Sequence, residues 1–210
     1  MRASAKLVLT ALVTALLLAS VISSAFARNL RISSQNFRVT WNSLESTEPV
    51  VRITIRCRVT LEGSFHSATI PKVERLLIGA ITRANIKEES CTGGRIRPDN
   101  ETLPWHVTYE NFTGTLPNIT TVGLLLSRAS VLLEVPLVCT GRYGIATDNI
   151  SGTATREAGG GITLLAPVRG RNLATLERTI SGTCPTRISL EGTGEMFQLG
   201  TTARITVTLI

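Results

Sequence analysis

Residues 51–61 read Val-Arg-Ile-Thr-Ile-Arg-Cys-Arg-Val-Thr-Leu, an unbroken alternation of apolar and polar side chains. Period two is the period of a β-strand, so Val51, Ile53, Ile55, Cys57, Val59 and Leu61 share one face. Arg52, Thr54, Arg56, Arg58 and Thr60 share the other. Such a strand needs a sheet that is wet on one side, which points to antiparallel pairing rather than a parallel sheet covered on both faces. The C-terminus repeats the pattern: Ala203, Ile205, Val207 and Leu209 alternate with Arg204, Thr206 and Thr208. A chain end of this kind is expected to be paired in the same sheet.

The rest of the chain agrees with a β reading. Threonine occurs 27 times in residues 28–210, and branched side chains suit a pleated surface. Further strands are predicted at 37–42, 65–70, 105–109, 121–126, 131–139, 161–166 and 187–191. Gly-Thr pairs beginning at 114, 152, 182, 192 and 200 read as turns between them. Residues 141–160, opened by Gly141-Arg142-Tyr143-Gly144 and closed by Gly159-Gly160-Gly161, are the main expected loop. Ile70, Val73, Leu76, Leu77, Ala80, Ile81 and Ala84 also fit a helical stripe, so a short helical turn is expected near 71–76, followed by a strand. The fold class is therefore all-β: an antiparallel β-sandwich or partly closed barrel of about eight to ten strands.

The first 27 residues have a different character. Basic Arg2 and Lys6 precede the mainly apolar run Leu7–Ile22, and Ala25-Phe26-Ala27 follows. These are the parts of a cleaved secretory signal peptide. A membrane span needs roughly 20 apolar residues, and Thr10, Thr14 and Ser20 interrupt this run. Without a cysteine at the cleavage point the expectation is release, with no membrane anchor left after cleavage. Cleavage leaves residues 28–210 as a single β domain, and removes Arg2 and Lys6 from the net charge of +7 to leave +5.

Export decides how the cysteines are read. Cys57, Cys91, Cys139 and Cys184 are an even set in an exported chain, which makes them a disulfide framework. Of three pairings, Cys57 with Cys91 and Cys139 with Cys184 is preferred, because each half then closes on itself. Zinc ligands come as close pairs, and no two of these cysteines lie closer than 34 positions. No metal or cofactor is expected. The positive charge comes from arginines scattered singly along the chain, whereas nucleic-acid binding calls for a basic stripe with interleaved aromatics. Nucleic acid is therefore not expected as a partner.

Candidate sites are few. His66 and His106 are the two histidines; His66 follows Glu62 by four residues, and His106 lies near Asp99 and Glu101 in sequence. Either is a weak candidate for a catalytic base, and no Gly-x-Ser-x-Gly elbow accompanies them. Asp99 and Asp148 are the only aspartates, and sequence does not pair carboxylates for glycoside hydrolysis. Trp41, Trp105 and Tyr109, with Phe112, are weak candidates for stacking on sugar rings. Against that, Trp105, Val107 and Tyr109 alternate as the buried face of one strand. The Asn-x-Ser/Thr sequences at Asn100, Asn111, Asn118 and Asn149 are read as loops.

Cys57-Arg58-Val59-Thr60-Leu61-Glu62-Gly63-Ser64-Phe65-His66, joined with Ile78-Gly79, Cys91-Thr92-Gly93-Gly94, Leu103-Pro104-Trp105-His106-Val107-x-Tyr109 and Phe112-x-Gly114-x-Leu116-Pro117, resembles a group of exported proteins from soil actinobacteria and their relatives. The resemblance spans residues 37–210 and implies localisation and architecture, with no activity attached. The expected function is that of a secreted, extracellular, non-enzymatic protein that binds cell-envelope components or another exported protein. The alternative is a small secreted hydrolase using His106 or His66 with a nearby carboxylate.

Overall fold

The structure, a computed structural model, describes residues 29–47, 53–115, 118–145, 154–156 and 162–210. The leader expected over residues 1–27, together with Asp148, Asn149 and the Gly159-Gly160-Gly161 triplet, lies outside the described residues. The described chain is all-β and antiparallel. Its strands are β1 (Asn29–Ile32), β2 (Asn36–Thr47), β3 (Thr54–Phe65), β4 (Thr69–Pro71), β5 (Leu77–Thr92), β6 (Arg95–Pro98) and β7 (Trp105–Thr115). They continue with β8 (Asn118–Ser127), β9 (Ser130–Val135), β10 (Cys139–Ile145), β11 (Ala154–Arg156), β12 (Ile162–Gly182), β13 (Arg187–Gln198) and β14 (Thr206–Leu209).

Ten strands form one path of hydrogen-bonded neighbours, β4-β1-β14-β12-β13-β2-β3-β5-β7-β8. From β12 a branch leaves through β10 and β9 to β6, and β11 pairs with the first residues of β12. The sheet curls on itself: β8 comes back to β11, β12 and β14, and β6 comes back to β5 and β3. The result is a partly closed barrel whose inner face is apolar.

The alternation that opened the sequence makes β3 a wall of this barrel. Ile55, Cys57, Val59, Leu61 and Phe65 are buried, while Arg56 and Arg58 are exposed. Phe37 on β2 meets Phe65 with ring centroids 4.8 Å apart, and each such buried side chain contributes about 1.5–3 kcal/mol. Gly194 on β13 lies opposite Trp41 on β2. A Cβ at Gly194 would stand 2.7 Å from the indole, so glycine is required for the ring to lie flat there. The C-terminal alternation is paired as expected, β14 lying between β1 and β12, with Ile205 and Val207 buried.

Cys57 is bonded to Cys91 and Cys139 to Cys184, the pairing preferred from the sequence. The first bond has a specific local task. Arg56 pairs with Thr92 and Arg58 with Lys87, so Cys57 alone on β3 faces the excursion Glu88–Cys91 on β5. The disulfide pins that excursion, and the Ser90 hydroxyl fills it, accepting from Arg58 N and donating to Lys87 O. Two intact disulfides are typical of extracellular proteins.

Several boundaries differ from expectation, each for a visible reason. No helix forms over 71–76. Val73–Leu76 is a tight turn closed by Leu76 N on Val73 O, with Arg75 at φ 63°. The stripe that suggested a helix leaves Val73, Leu76 and Leu77 exposed. Residues 65–70 are not one strand, because β3 ends at Phe65 and a turn held by Ser67 Oγ leads into β4. The 131–139 strand splits into β9 and β10 at a turn with Pro136 as its second residue and Leu137 at φ 63°.

Gly141 and Gly144 belong to β10 rather than to a loop. They are small because Cys184 Sγ and the Glu177 side chain press against them. β12 continues past Pro167 and Gly170 to Gly182 through a register shift between Gly170 and Ala174. Gly200 does occupy a turn, at positive φ, whereas Gly182 ends β12 opposite Cys139, Gly192 lies at a bulge inside β13 and Gly114 inside β7. Asn111 and Asn118 stand in strands, and Asn100 opens a single 3-10 turn capped by Asp99.

Burial pushes the Tyr109 phenol up from its usual value. A raised value in the folded state means that its stabilising share is whole below about pH 10 and is lost as pH rises through the folded-state value. Urea unfolding from pH 8 to 11 is expected to show a steeper alkaline loss of stability in the native chain than in Tyr109→Phe. Equal slopes would contradict that assignment.

Candidate functional site

The strand positions of the two histidines separate them from their proposed carboxylates. His66 begins the exposed turn after β3, and Glu62, its sequence neighbour, forms an ion pair with Arg83 at 3.0 Å. His106 sits on β7, opposite Ala80 and Ser127, and its Nε2 lies 3.4 Å from Arg128 Nη1. Asp99 is 9% exposed and is held by Arg142 Nη2 at 2.9 Å. Glu62 and Asp99 are thus engaged by arginine, Glu101 is exposed, and among the described residues no carboxylate is hydrogen-bonded to either imidazole.

Arg142 instead organises a polar clamp between β9, β10 and β12. Its Nε lies 3.0 Å from Glu177 Oε2 and donates to Ser130 Oγ at 3.1 Å. Asp99 also accepts from Glu101 N and its carbonyl accepts from Thr102 Oγ1, which in turn accepts from Trp105 Nε1 at 2.8 Å. Ser130 is buried and its hydroxyl is already engaged, accepting from Arg142 Nε and donating to Tyr143 O. The clamp fixes the 3-10 turn over the barrel and leaves Asp99 satisfied, as a buried charge has to be. Among the described residues no group of three or more His, Cys, Asp or Glu side chains is placed to hold a metal ion.

The aromatic candidates come together, but inside. Trp41, Trp105 and Tyr109 are 6%, 2% and 3% exposed, so none offers a ring face to solvent on which a sugar could stack. Phe112 is half-buried with Lys72 Nζ 4.8 Å above its ring. Trp41 and Trp105 border an apolar cavity of about 80 Å³, whose lining also includes Ser46 and Ile188.

Ser46 and Ile188 also line a second, larger pocket of about 340 Å³ that opens at one end of the barrel. Ile53, Ile55, Leu133, Val135 and Val138 supply its apolar wall, and the Thr183–Thr186 connection between β12 and β13 closes one side. Among the described residues no charged side chain lines it. Small-molecule sites typically span about 300–1,000 Å³ and are mostly apolar, with a few placed polar groups.

The closing segment is fixed at several points. Cys184 is bonded to Cys139 with Cα atoms 5.1 Å apart. The Tyr143 hydroxyl, on a fully buried ring, donates to Pro185 O at 2.8 Å. Leu176 N donates to Thr186 O at 2.8 Å, and Thr183 N to Val138 O at 3.2 Å. The carbonyls of Pro185 and Thr186 are therefore engaged within the protein.

The unusual residue is Ser46. It lies opposite Leu190 on β13 and Ile55 on β3, both buried, so its side chain belongs to the inner face. It is 3% exposed, and its Oγ has no hydrogen-bond partner. Leaving a buried hydroxyl unpaired costs about 1–3 kcal/mol. Sequence reading missed it, because a serine at the end of β2 looks like a turn residue; a bulge between Trp41 and Leu44 restores its inward register.

Comparison with known protein families, curated proteins and solved structures finds no match to this chain.

Replacing the Cys139–Cys184 pair by serines opens a 45-residue loop, worth roughly 4 kcal/mol in the chain-entropy model. The expected outcome is a lower unfolding free energy and faster hydrogen exchange at Leu176 N–H, which reports the closing segment. Unchanged exchange there would show that the disulfide does not hold the pocket wall.

Proposed function

We propose that the protein is an exported, non-enzymatic binding protein whose recognition site is the apolar pocket at the Cys139–Cys184 end of the barrel. The observation that carries this reading is a disulfide-fixed pocket of about 340 Å³ whose described lining is uncharged and includes a residue with a buried, unpartnered hydroxyl. Export is supported by the leader-like residues 1–27 and by two disulfides. A molecule drawn from the cell envelope, small enough to enter the pocket, is the natural occupant for a protein released in that compartment.

The hydrolase alternative has less to support it. A general base needs hydrogen-bonding reach to its partners; Glu62 and Asp99 are paired with Arg83 and Arg142, and among the described residues no carboxylate is hydrogen-bonded to His66 or His106.

Oxidised protein starting at Arg28, mixed with an organic extract of the source organism's envelope and repurified, should carry one small molecule per chain by native mass spectrometry. Val138 is partly exposed at the pocket, so Val138→Trp should fill the entrance and abolish that adduct without unfolding the chain. A protein that emerges free from every extract, or an adduct indifferent to Val138→Trp, would overturn the reading. Hydrolytic activity that disappears in His66→Ala or His106→Ala would favour the alternative.

A further inference from the structure

We infer that the pocket takes an uncharged aliphatic molecule with one hydrogen-bonding group, an alcohol or a carbonyl, held at Ser46 Oγ. This rests on the binding reading above and specifies the chemistry of the occupant.

The position of Ser46 carries the argument. In the row Leu190, Ser46, Ile55 across β13, β2 and β3, the flanking residues are apolar and buried. Packing alone would be served by another apolar residue. Instead a buried hydroxyl stands there with no protein partner, on a residue that lines both the outer pocket and the inner cavity. A hydroxyl both donates and accepts, so it can pair with an alcohol or with the oxygen of an ester or ketone.

The lining excludes a charged head at the same point. Among the described residues neither cavity has a charged side chain in its wall, and a carboxylate or ammonium ion taken from water without a counter-charge is strongly disfavoured. The ligand's remaining surface faces Ile53, Ile55, Leu133 and Val135, which offer dispersion contacts and no further hydrogen bonds. Val138, exposed at the β9–β10 turn, adds a further apolar side chain to the lining.

Octan-1-ol and octanoate test the inference as a matched pair, using oxidised wild type, Ser46→Ala and Val138→Trp in titration calorimetry at pH 7.5. Wild type should bind octan-1-ol with one site and octanoate at least tenfold more weakly. Ser46→Ala should weaken octan-1-ol by about fivefold, the share of one net hydrogen bond. Without ligand it should raise the thermal midpoint by about 2–4 °C, because it removes an unpaired buried hydroxyl. A serine serving only the fold would show the opposite sign in that second measurement.

Octanoate binding as tightly as octan-1-ol would overturn the uncharged head. Octan-1-ol affinity unchanged in Ser46→Ala yet lost in Val138→Trp would overturn the role of Ser46 and leave the pocket reading intact. Octan-1-ol affinity indifferent to both substitutions would place binding elsewhere and overturn the inference, while the envelope-extract experiment judges the pocket reading separately.

Discussion

Strand β12 is the constraint on which the other features depend. Its 21 residues serve different neighbours along their length. The first residues pair with β11 and β14, the middle with β13, and the last with β10 on one side and β13 on the other. A single strand can do this only if it bends, and the register shift between Gly170 and Ala174 is where its pairing with β13 is interrupted. Through β12 the branch β10-β9-β6 is joined to the main path, and β6 can return toward β3 and β5. The large pocket lies between those partners: Leu133 and Val135 come from β9, Ile188 from β13, Ser46 from β2 and Ile55 from β3.

The two disulfides act at different levels of this architecture. Cys57–Cys91 lies within the sheet and holds a local excursion of β5 against β3. Cys139–Cys184 ties the start of β10 to the connection after β12, so it shapes a wall rather than a strand pairing. With Tyr143 bonded to Pro185, that wall is held in place before any ligand arrives. Preorganisation of this kind reduces the ordering cost of binding.

Period-two patterning made β3 and the end of the chain legible in the sequence, because each buries one face and wets the other. Cysteine spacing, together with the expectation of export, made the two bonds legible as well. What escaped was set by contacts distant in sequence. Gly141 and Gly144 looked like loop residues, yet they are small because Cys184 and Glu177 press on them. Val73, Leu76 and Leu77 imitated a helical stripe although the turn leaves them in solvent. Trp105 was legible as buried from its alternation with Val107 and Tyr109, but not that it shares a cavity with Trp41. Ser46 carried no local signal, since its inward direction depends on a bulge two to five residues earlier in β2.

The central claim is that the inside of the barrel end, and not its outer surface, is where this protein recognises its partner. Isoleucine-methyl NMR tests it most directly, because Ile53, Ile55 and Ile188 line the pocket while Ile32, Ile70 and Ile205 are buried elsewhere. Titration with octan-1-ol is expected to move the methyls of Ile53, Ile55 and Ile188 together, saturating at one equivalent, with Ile32, Ile70 and Ile205 unmoved. Shifts confined to the exposed Ile180 and Ile210, or spread evenly over all methyls without saturation, would contradict the account.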